Sequence, residues 1–362
     1  MRSKNLSRRE FIQTAALGAG SLAVLPLERY LFFNRHFEIQ DFPQGERLGR
    51  VLEPELEIKT RPNENSPTTG TYKMDEVVAW LGQAVGPKQN YYAQRYVETP
   101  DGFVYAPFLQ PVRNRPNPPL TNLPRPEGLW VEVSVPYVDL TLANPPARSP
   151  WLEYTSLPRL YYSQIMWVDQ IHIDEAGRVL YHVMERYGSY GDKFWAAAEA
   201  FRPLQQDEAT PLQAEVEDKL VVVNVTYQTL SCFENGREVY FCRVSTGPKL
   251  TKNDTNRKGW ATPLGKHTIW RKLISVHMTG GTTGGGYDLP GIGWTTLFSG
   301  QGMAIHSTFW HNSFGVPKSH GCVNASPDDA KWIFRWTLPV TPFEPGDITY
   351  QGTGSTKVLV EE

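Results

Sequence analysis

Cysteine is scarce in this chain, with three thiols in 362 residues, at positions 232, 242 and 322. So few exclude a disulfide framework and confine any thiol chemistry to a short set of candidates. An excess of either charge is lacking as well. The 36 basic and 38 acidic residues leave a formal net charge of −2. No basic block is available to follow a phosphate backbone, so nucleic acid is not an expected partner. What the chain has in quantity is aromatic and turn-forming residues, with 11 Trp, 17 Tyr and 16 Phe beside 29 Pro and 30 Gly. That composition predicts a mainly β protein of short strands and frequent turns. Its length exceeds what one hydrophobic core serves, and two or three domains are expected.

Only Cys322 has the neighbourhood of a nucleophile. It lies in Ser319-His320-Gly321-Cys322-Val323-Asn324, downstream of Ala304-Ile305-His306-Ser307. Strand alternation puts Ala304 and His306 on one face and Met303 and Ile305 on the other, which makes His306 the candidate base. A nearby imidazole draws a thiol toward thiolate. Gly321 lets the backbone bend so that the N–H groups of Gly321 and Cys322 face a developing oxyanion. Two blander readings stay open: a buried structural cysteine beside a hydrogen-bonded histidine, and a zinc site built from His306, His311, His320 and Cys322. The spacing of those four matches none of the usual paired zinc motifs, and neither a metal nor a cofactor is expected.

From about residue 212 to 352 the chain resembles the L,D-transpeptidase catalytic domain, the YkuD-like fold. That family's signature is a histidine, a spacer, then Ser/Thr-His-Gly-Cys, one further residue and Arg or Asn. His306, Ser319, His320, Gly321, Cys322 and Asn324 stand at those positions, Asn324 where many bacterial members carry arginine. Ser245-Thr246-Gly247, Thr262-Pro263-Leu264-Gly265, and His277-Met278 before a Gly-rich segment ending near Tyr287 resemble further pieces of the same family. The resemblance implies a C-terminal YkuD-like β-sandwich catalytic domain with a short helix. It implies peptidoglycan stem peptides as substrates: a Cys322 thioester forms with release of terminal D-Ala, and the acyl group passes to the side-chain amine of another stem, a 3-3 crosslink. Hydrolysis of the same bond, an L,D-carboxypeptidase outcome, would use the same residues, and a non-catalytic wall-binding protein is a further reading.

The resemblance also implies that the Ser307 carbonyl orients His306, and that Thr279–Gly293 is a loop over the cleft with Tyr287 inward. The catalytic candidates are therefore Cys322, His306, His320, Gly321 and Ser307. Met278, Tyr287, Trp294, Ser319 and Asn324 are the substrate-side candidates. His320, Ser319 and Asn324 are weighed toward shaping the loop. Stem peptides and the cell wall are the expected partners of a monomer.

The first 33 residues resemble a twin-arginine export signal, with Ser7-Arg8-Arg9-Glu10-Phe11-Ile12 before the apolar stretch from Ala15 to Leu27. That stretch is short of the roughly 20 residues that span a bilayer. Cleavage and retention as an N-terminal membrane anchor both remain open, and the expected location is the cell envelope, at the outer face of the cytoplasmic membrane or in the wall.

Residues 34–54 read as an extended linker. Residues 55–127 and 128–211 weakly resemble Src-homology-3-like small β-barrels, and 212–362 is the catalytic domain. In the first barrel-like region Met74–Val85 reads as a short helix with Val77, Val78, Leu81 and Val85 as its apolar stripe. In the second, Trp130, Glu132 and Ser134 alternate against Val131, Val133 and Val135. The aromatics Tyr91, Tyr92, Tyr96, Trp130, Trp167 and Trp195 are weighed toward core. In the catalytic region the Asn235-Gly236 turn sets Cys232 opposite Val239, placing Cys242 on the other face, so two free, buried thiols are expected. Ser326-Pro327-Asp328-Asp329 starts a helix that runs to about Trp336, with Ala330, Ile333 and Phe334 against the sheet, and Ile348–Tyr350 reads as the closing strand.

Overall fold

The computed structural model describes residues 40–87, 93–153, 155, 157–249, 260–280 and 287–362. The expectations for residues 1–33, and for Tyr91 and Tyr92, lie outside the described residues. Among the described residues the strand ladders fall into three groups, within 48–112, 129–203 and 219–361, and no ladder joins one group to another.

The first group holds two open sheets. Leu48–Val51 lies between Val77–Ala79 and Leu109–Val112, so the end of the expected linker is a paired strand. Glu55–Lys59, Thr68–Lys73, Gly82–Val85, Arg95–Thr99 and Gly102–Tyr105 form the other sheet. The helix expected over Met74–Val85 is absent. Val78 and Trp80 are buried while Leu81 is 62% and Val85 74% exposed, the period of two of extended chain, here in two strands of different sheets. Adjacent β-branched Val77 and Val78 fit that pleat better than a helical stripe.

The second group holds a short pair, Tyr137–Asp139 with Arg159–Tyr161, and a six-stranded antiparallel sheet in the order Thr141–Leu142, Lys193–Ala197, Val179–Met184, Ile165–Ile173, Leu129–Val133, Phe201–Pro203. The larger sheet has two edges, as do the sheets of the first group, and among the described residues no ladder closes either group on itself. Alternation in Leu129–Val133 sorts side chains between two cores. Leu129, Val131 and Val133 pack with Phe194 and Phe201, while Trp130 projects the other way into the C-terminal core with Trp167. The two indoles meet edge to face at 5.0 Å, and Trp130 Nε1 donates to Phe343 O at 3.2 Å. The face that alternation marks as the more polar is thus covered by the third group.

Two five-stranded sheets form that third group. One runs Arg237–Arg243, Thr229–Glu234, Lys219–Asn224, Lys357–Glu361, Gly265–Thr268; the other runs Val323–Ala325, Ala304–Ser307, Tyr287–Leu297, Arg271–Gly280, Asp347–Thr349. Val221, Val223, Ile274, Ile305, Val323 and Val360 belong to their common core. The strand Asp347–Thr349 is an edge, and the chain closes instead with Lys357–Glu361, parallel to Lys219–Asn224. The Thr279–Gly293 segment, expected to be a loop, is largely the ladder of a long hairpin, Met278 opposite Leu289 and Gly280 opposite Tyr287; residues 281–286 lie outside the described residues.

Cys232 pairs with Tyr240 and Leu230 with Cys242, because the register shifts between Cys232 and Phe233. That bulge turns both sulfurs into one core rather than onto opposite faces, yet both thiols are free and buried.

The helix Pro327–Trp336 starts as its sequence predicts. Ser326 Oγ accepts from the Asp329 N–H at 3.2 Å and donates to Asp329 Oδ2 at 2.5 Å. Two lysine ammoniums serve its C-terminal end: Lys219 Nζ donates to Trp336 O at 2.8 Å and Lys272 Nζ to Thr337 O at 2.6 Å, a favourable place for cations. Burial nonetheless pushes the Lys272 pKa well down. Replacing Ser326 by alanine leaves one N–H of the first turn without its acceptor and is expected to cost about 1 kcal/mol of stability. A lowered thermal midpoint by calorimetry is the expected result, and an unchanged midpoint would reject the cap's contribution.

Candidate active site

His306 and Cys322 are brought together by one strand pair. Ala304–Ser307 and Val323–Ala325 run parallel, with Ile305 opposite Val323, His306 opposite Asn324 and Ser307 opposite Ala325. Neighbours across parallel strands point to the same face and alternate along each strand. Ile305, Val323 and Ala325 therefore enter the core, and His306 and Asn324 share the other face with Cys322, two residues before Asn324.

The loop entering the second strand is fixed by hydrogen bonds. Ser319 Oγ accepts from the Gly321 N–H at 3.0 Å and donates to Cys322 O at 2.5 Å. Thr262 Oγ1 donates to Gly321 O at 2.9 Å, the N–H groups of Lys318 and Ser319 both donate to Thr246 O at 3.1 Å, and Ser245 and Asn324 exchange backbone bonds at 2.8 and 2.9 Å. The Ser245-Thr246-Gly247 and Thr262 segments thus brace the cysteine loop. Gly321 has φ +116°, and a Cβ there would meet Met303 Sδ at 2.6 Å, so only glycine fits. Its N–H is already engaged by Ser319, which corrects the expectation that it faces an oxyanion and leaves the Cys322 N–H as the loop's remaining candidate.

The histidine is held in one tautomer. His306 Nδ1–H donates to Ser307 O at 2.9 Å, so Nε2 carries the lone pair. Burial lowers the His306 pKa to about 4. Burial also raises the Cys322 thiol to about 11, only partly offset by the Ala304 N–H. Both shifts favour the uncharged forms, so the resting pair is thiol and neutral imidazole rather than the thiolate expected from an adjacent histidine. The His320 ring lies 4.0 Å from Trp260 and 5.5 Å from Tyr287, and burial lowers its pKa too.

A cavity of about 270 Å³ opens on this face. Met278, Tyr287, His306, Ser319, His320, Cys322 and Asn324 line it as expected, together with Leu289, Trp310 and Lys318. Trp310 and Lys318 escape a reading by motif because neither belongs to the signature. Ser307 contributes its carbonyl and, through Oγ, accepts from the Gly293 N–H at 3.1 Å. Trp294 is the correction among the substrate-side candidates. It is 1% exposed, packs edge to face on Phe334 at 5.3 Å, and belongs to the core rather than to this cavity, because it stands an odd number of residues from Tyr287 and Leu289 and so faces the other way. His311, a ligand in the zinc reading, accepts from the Ser313 N–H at Nδ1 (3.2 Å) and faces the Asn324 amide at Nε2 (2.8 Å). Nε2 must then carry the proton, with the amide oxygen of Asn324 turned toward it. Among the described residues no group of three His, Cys, Asp or Glu side chains is arranged to hold a metal ion.

The hairpin wall is clamped from behind. On the face away from Met278, the His277 ring sits between Glu185 and Asp288, with Nδ1 2.5 Å from Glu185 Oε2. Glu185 Oε1 also accepts from the Gly291 N–H at 2.8 Å, and Asp288 Oδ2 from the Trp151 N–H at 2.9 Å. Burial opposes charge on His277, but the hydrogen bonds and charges of Glu185 and Asp288 outweigh it and raise its pKa.

Residues 218–358 match the family model of the L,D-transpeptidase catalytic domain, YkuD, and that segment carries a domain of this type. No match was found among curated proteins. Among solved structures, a mutant Enterococcus faecium L,D-transpeptidase is 22% identical over 40% of this chain and 50% of its own, at a TM-score of 0.30; the present chain spans about half of that one's length. An L,D-transpeptidase from Mycobacterium smegmatis is 16% identical over 79% of this chain and 99% of its own, at 0.31. L,D-transpeptidase 3 from Mycobacterium tuberculosis, in complex with a faropenem-derived adduct, is 18% identical over 53% and 77%, at 0.29.

The uncharged resting pair has a measurable consequence. The rate of Cys322 alkylation by iodoacetamide should keep rising with pH through the neutral range and level off only near pH 11. A plateau at neutral pH would show a resting thiolate instead.

Proposed function

We propose that a chain whose residues 218–358 form an L,D-transpeptidase catalytic domain acts as a cysteine-dependent peptidoglycan L,D-transpeptidase. One observation carries the reading: His306, with Nδ1 engaged by Ser307 O, presents Nε2 on the same sheet face and in the same cavity as Cys322. Because both groups rest uncharged, the thiol proton passes to Nε2 as sulfur attacks the donor-stem carbonyl, so charge separates only while the C–S bond forms. The Cys322 N–H is the candidate donor to the oxyanion. His306 then returns the proton to the nitrogen of the departing D-Ala, leaving a thioester. A side-chain amine of a second stem attacks it, loses its proton to His306, and releases a 3-3 crosslinked product with the thiol regenerated. Water in place of the amine gives the carboxypeptidase product. Lys318 is the charged side chain among the described residues lining the cavity, and its cation suits a stem that ends in a carboxylate.

The reaction is tested by mass spectrometry of tetrapeptide stems incubated with the protein. Release of D-Ala together with a dimer mass is expected; Cys322→Ala should abolish both, and His306→Ala should slow acylation by roughly 10²-fold or more. D-Ala release that survives Cys322→Ala would overturn the assignment, and free tripeptide without dimer would favour the hydrolytic outcome.

Wall peptides are met outside the cytoplasmic membrane, so we place the folded regions there, with residues 1–33 as the export segment. Among the described residues no helix is long and apolar enough to cross a membrane. A reporter that works only after folded export, fused to residues 1–35, should be active outside the cytoplasm and lose that activity when Arg8 and Arg9 become lysine. Activity confined to the cytoplasm in both forms would reject the placement.

A further inference from the structure

The segment that follows the base, Thr308–Ser313, is anchored outside its own sheets. Arg50, on the strand Leu48–Val51, is 4% exposed. It donates from Nη2 to Phe309 O at 2.9 Å, from Nη1 to Asp75 Oδ1 at 2.6 Å, and from Nε to Gln110 Oε1 at 2.9 Å. Its guanidinium lies 3.9 Å from the centre of the Tyr161 ring, which stacks on Phe309 at 5.5 Å and 17°. Arg159 holds the other oxygen of Asp75 at 3.0 Å and is itself held by Asp139 at 2.6 Å. Asn312 makes a second tie: Nδ2 donates to Ala106 O and Leu109 O at 3.1 Å each, and its N–H to Pro107 O at 3.2 Å. Both anchors lie in the first group of strands.

Between the anchors sit the two side chains that reach the site. Trp310 lines the cavity and lies 5.8 Å from the His306 ring at 29°, and His311 is bonded to Asn324 at 2.8 Å. No strand of the C-terminal sheets includes Thr308–Ser313. A carbonyl held by a planar guanidinium that also donates to two fixed partners, Asp75 and Gln110, has little freedom to swing.

We infer that Arg50 is a positioning residue for the Cys322 and His306 site. By fixing the Phe309 carbonyl it sets Trp310 against His306, so the N-terminal strands are part of the active-site structure rather than an appended module. The inference rests on the reading of His306 as the base. With Trp310 displaced, water reaches the His306 ring, and its pKa climbs from about 4 toward the usual value of about 6.5. The titratable groups around it are His311 and, in the same cavity, Cys322, Tyr287, His320 and Lys318. Cys322 and His311 are uncharged at neutral pH, since burial lowers His311 to about 3 and raises Cys322 to about 11.

The test uses the full chain with ring-labelled histidine, following the His306 resonance by NMR against pH without substrate, beside the kinetics of D-Ala release. In Arg50→Met the His306 midpoint should rise by about one unit or more, and kcat should fall roughly tenfold or more with KM little changed. Arg50→Lys keeps a donor without the fork and should recover part of the loss. Asn312→Ala cuts the second tie while leaving the buried cation network whole, so it should move the midpoint the same way by less, and it serves where Arg50→Met does not fold. A folded Arg50→Met or Asn312→Ala protein with an unmoved midpoint and unchanged kcat overturns the inference, even if its thermal midpoint falls. D-Ala release that persists in Cys322→Ala would defeat the transpeptidase reading alone, since the His306 midpoint still reports on Arg50.

Discussion

The parallel register of Ala304–Ser307 on Val323–Ala325 is the constraint on which the rest of the site depends. Ile305, Val323 and Ala325 are fully buried, and burying such side chains is worth about 1.5–3 kcal/mol each for the larger ones. A slip of one residue would expose them and bury His306 and Asn324 in an apolar core. Hydrophobic burial on one face thereby fixes the polar arrangement on the other. The cysteine loop is then held from outside the strand pair by Ser245, Thr246 and Thr262, and the catalytic geometry needs no help from the helix beyond its packing against the same core.

Desolvation is the dominant electrostatic influence at that face. It lowers His306 and raises Cys322, and the nearest counter-influence, the single hydrogen bond from His306 to Ser307, fixes orientation more than charge. A neutral thiol and imidazole pair holds little thiolate, the form that oxidises readily. On the far side of the hairpin the opposite holds: two carboxylates around His277 raise its pKa despite burial. One histidine of the C-terminal region is thus kept uncharged, and another is drawn toward charge between two carboxylates on the cavity wall.

Both outer groups of strands reach the site through buried polar contacts, and the second group also shares the C-terminal core through Trp130, Ile165 and Trp167. Arg50 spans 259 residues to the Phe309 carbonyl, and Glu185 spans 92 to His277. A hydrogen bond to a charged group contributes roughly 1.5–3 kcal/mol, and losing one partner of a buried pair costs more. Contacts of this kind add to the shared packing of Trp130 and Trp167 in holding the outer strands against one cavity.

The signature around Cys322, the placing of His306 on the face it shares with Asn324, the cap at Ser326 and the alternation of Trp130 against Val131 were all legible in the sequence. Each rests on a local pattern: a short motif, a strand period of two, or a cap three residues from its partner. The strand at Lys357–Glu361, the bulge that turned Cys242 toward Cys232, the burial of Trp294 and the strands at Val77–Val85 were not, because each is decided by what a segment packs against. The same holds for the protonation states. The residue types next to Cys322 point to a thiolate, while the depth at which the fold buries the pair makes it neutral. Sequence by itself determined which side chains are the candidates for chemistry; the tertiary structure decided their charge and their supports, since desolvation and contacts such as Arg50 to Phe309 exist only once distant chain segments have closed on one another.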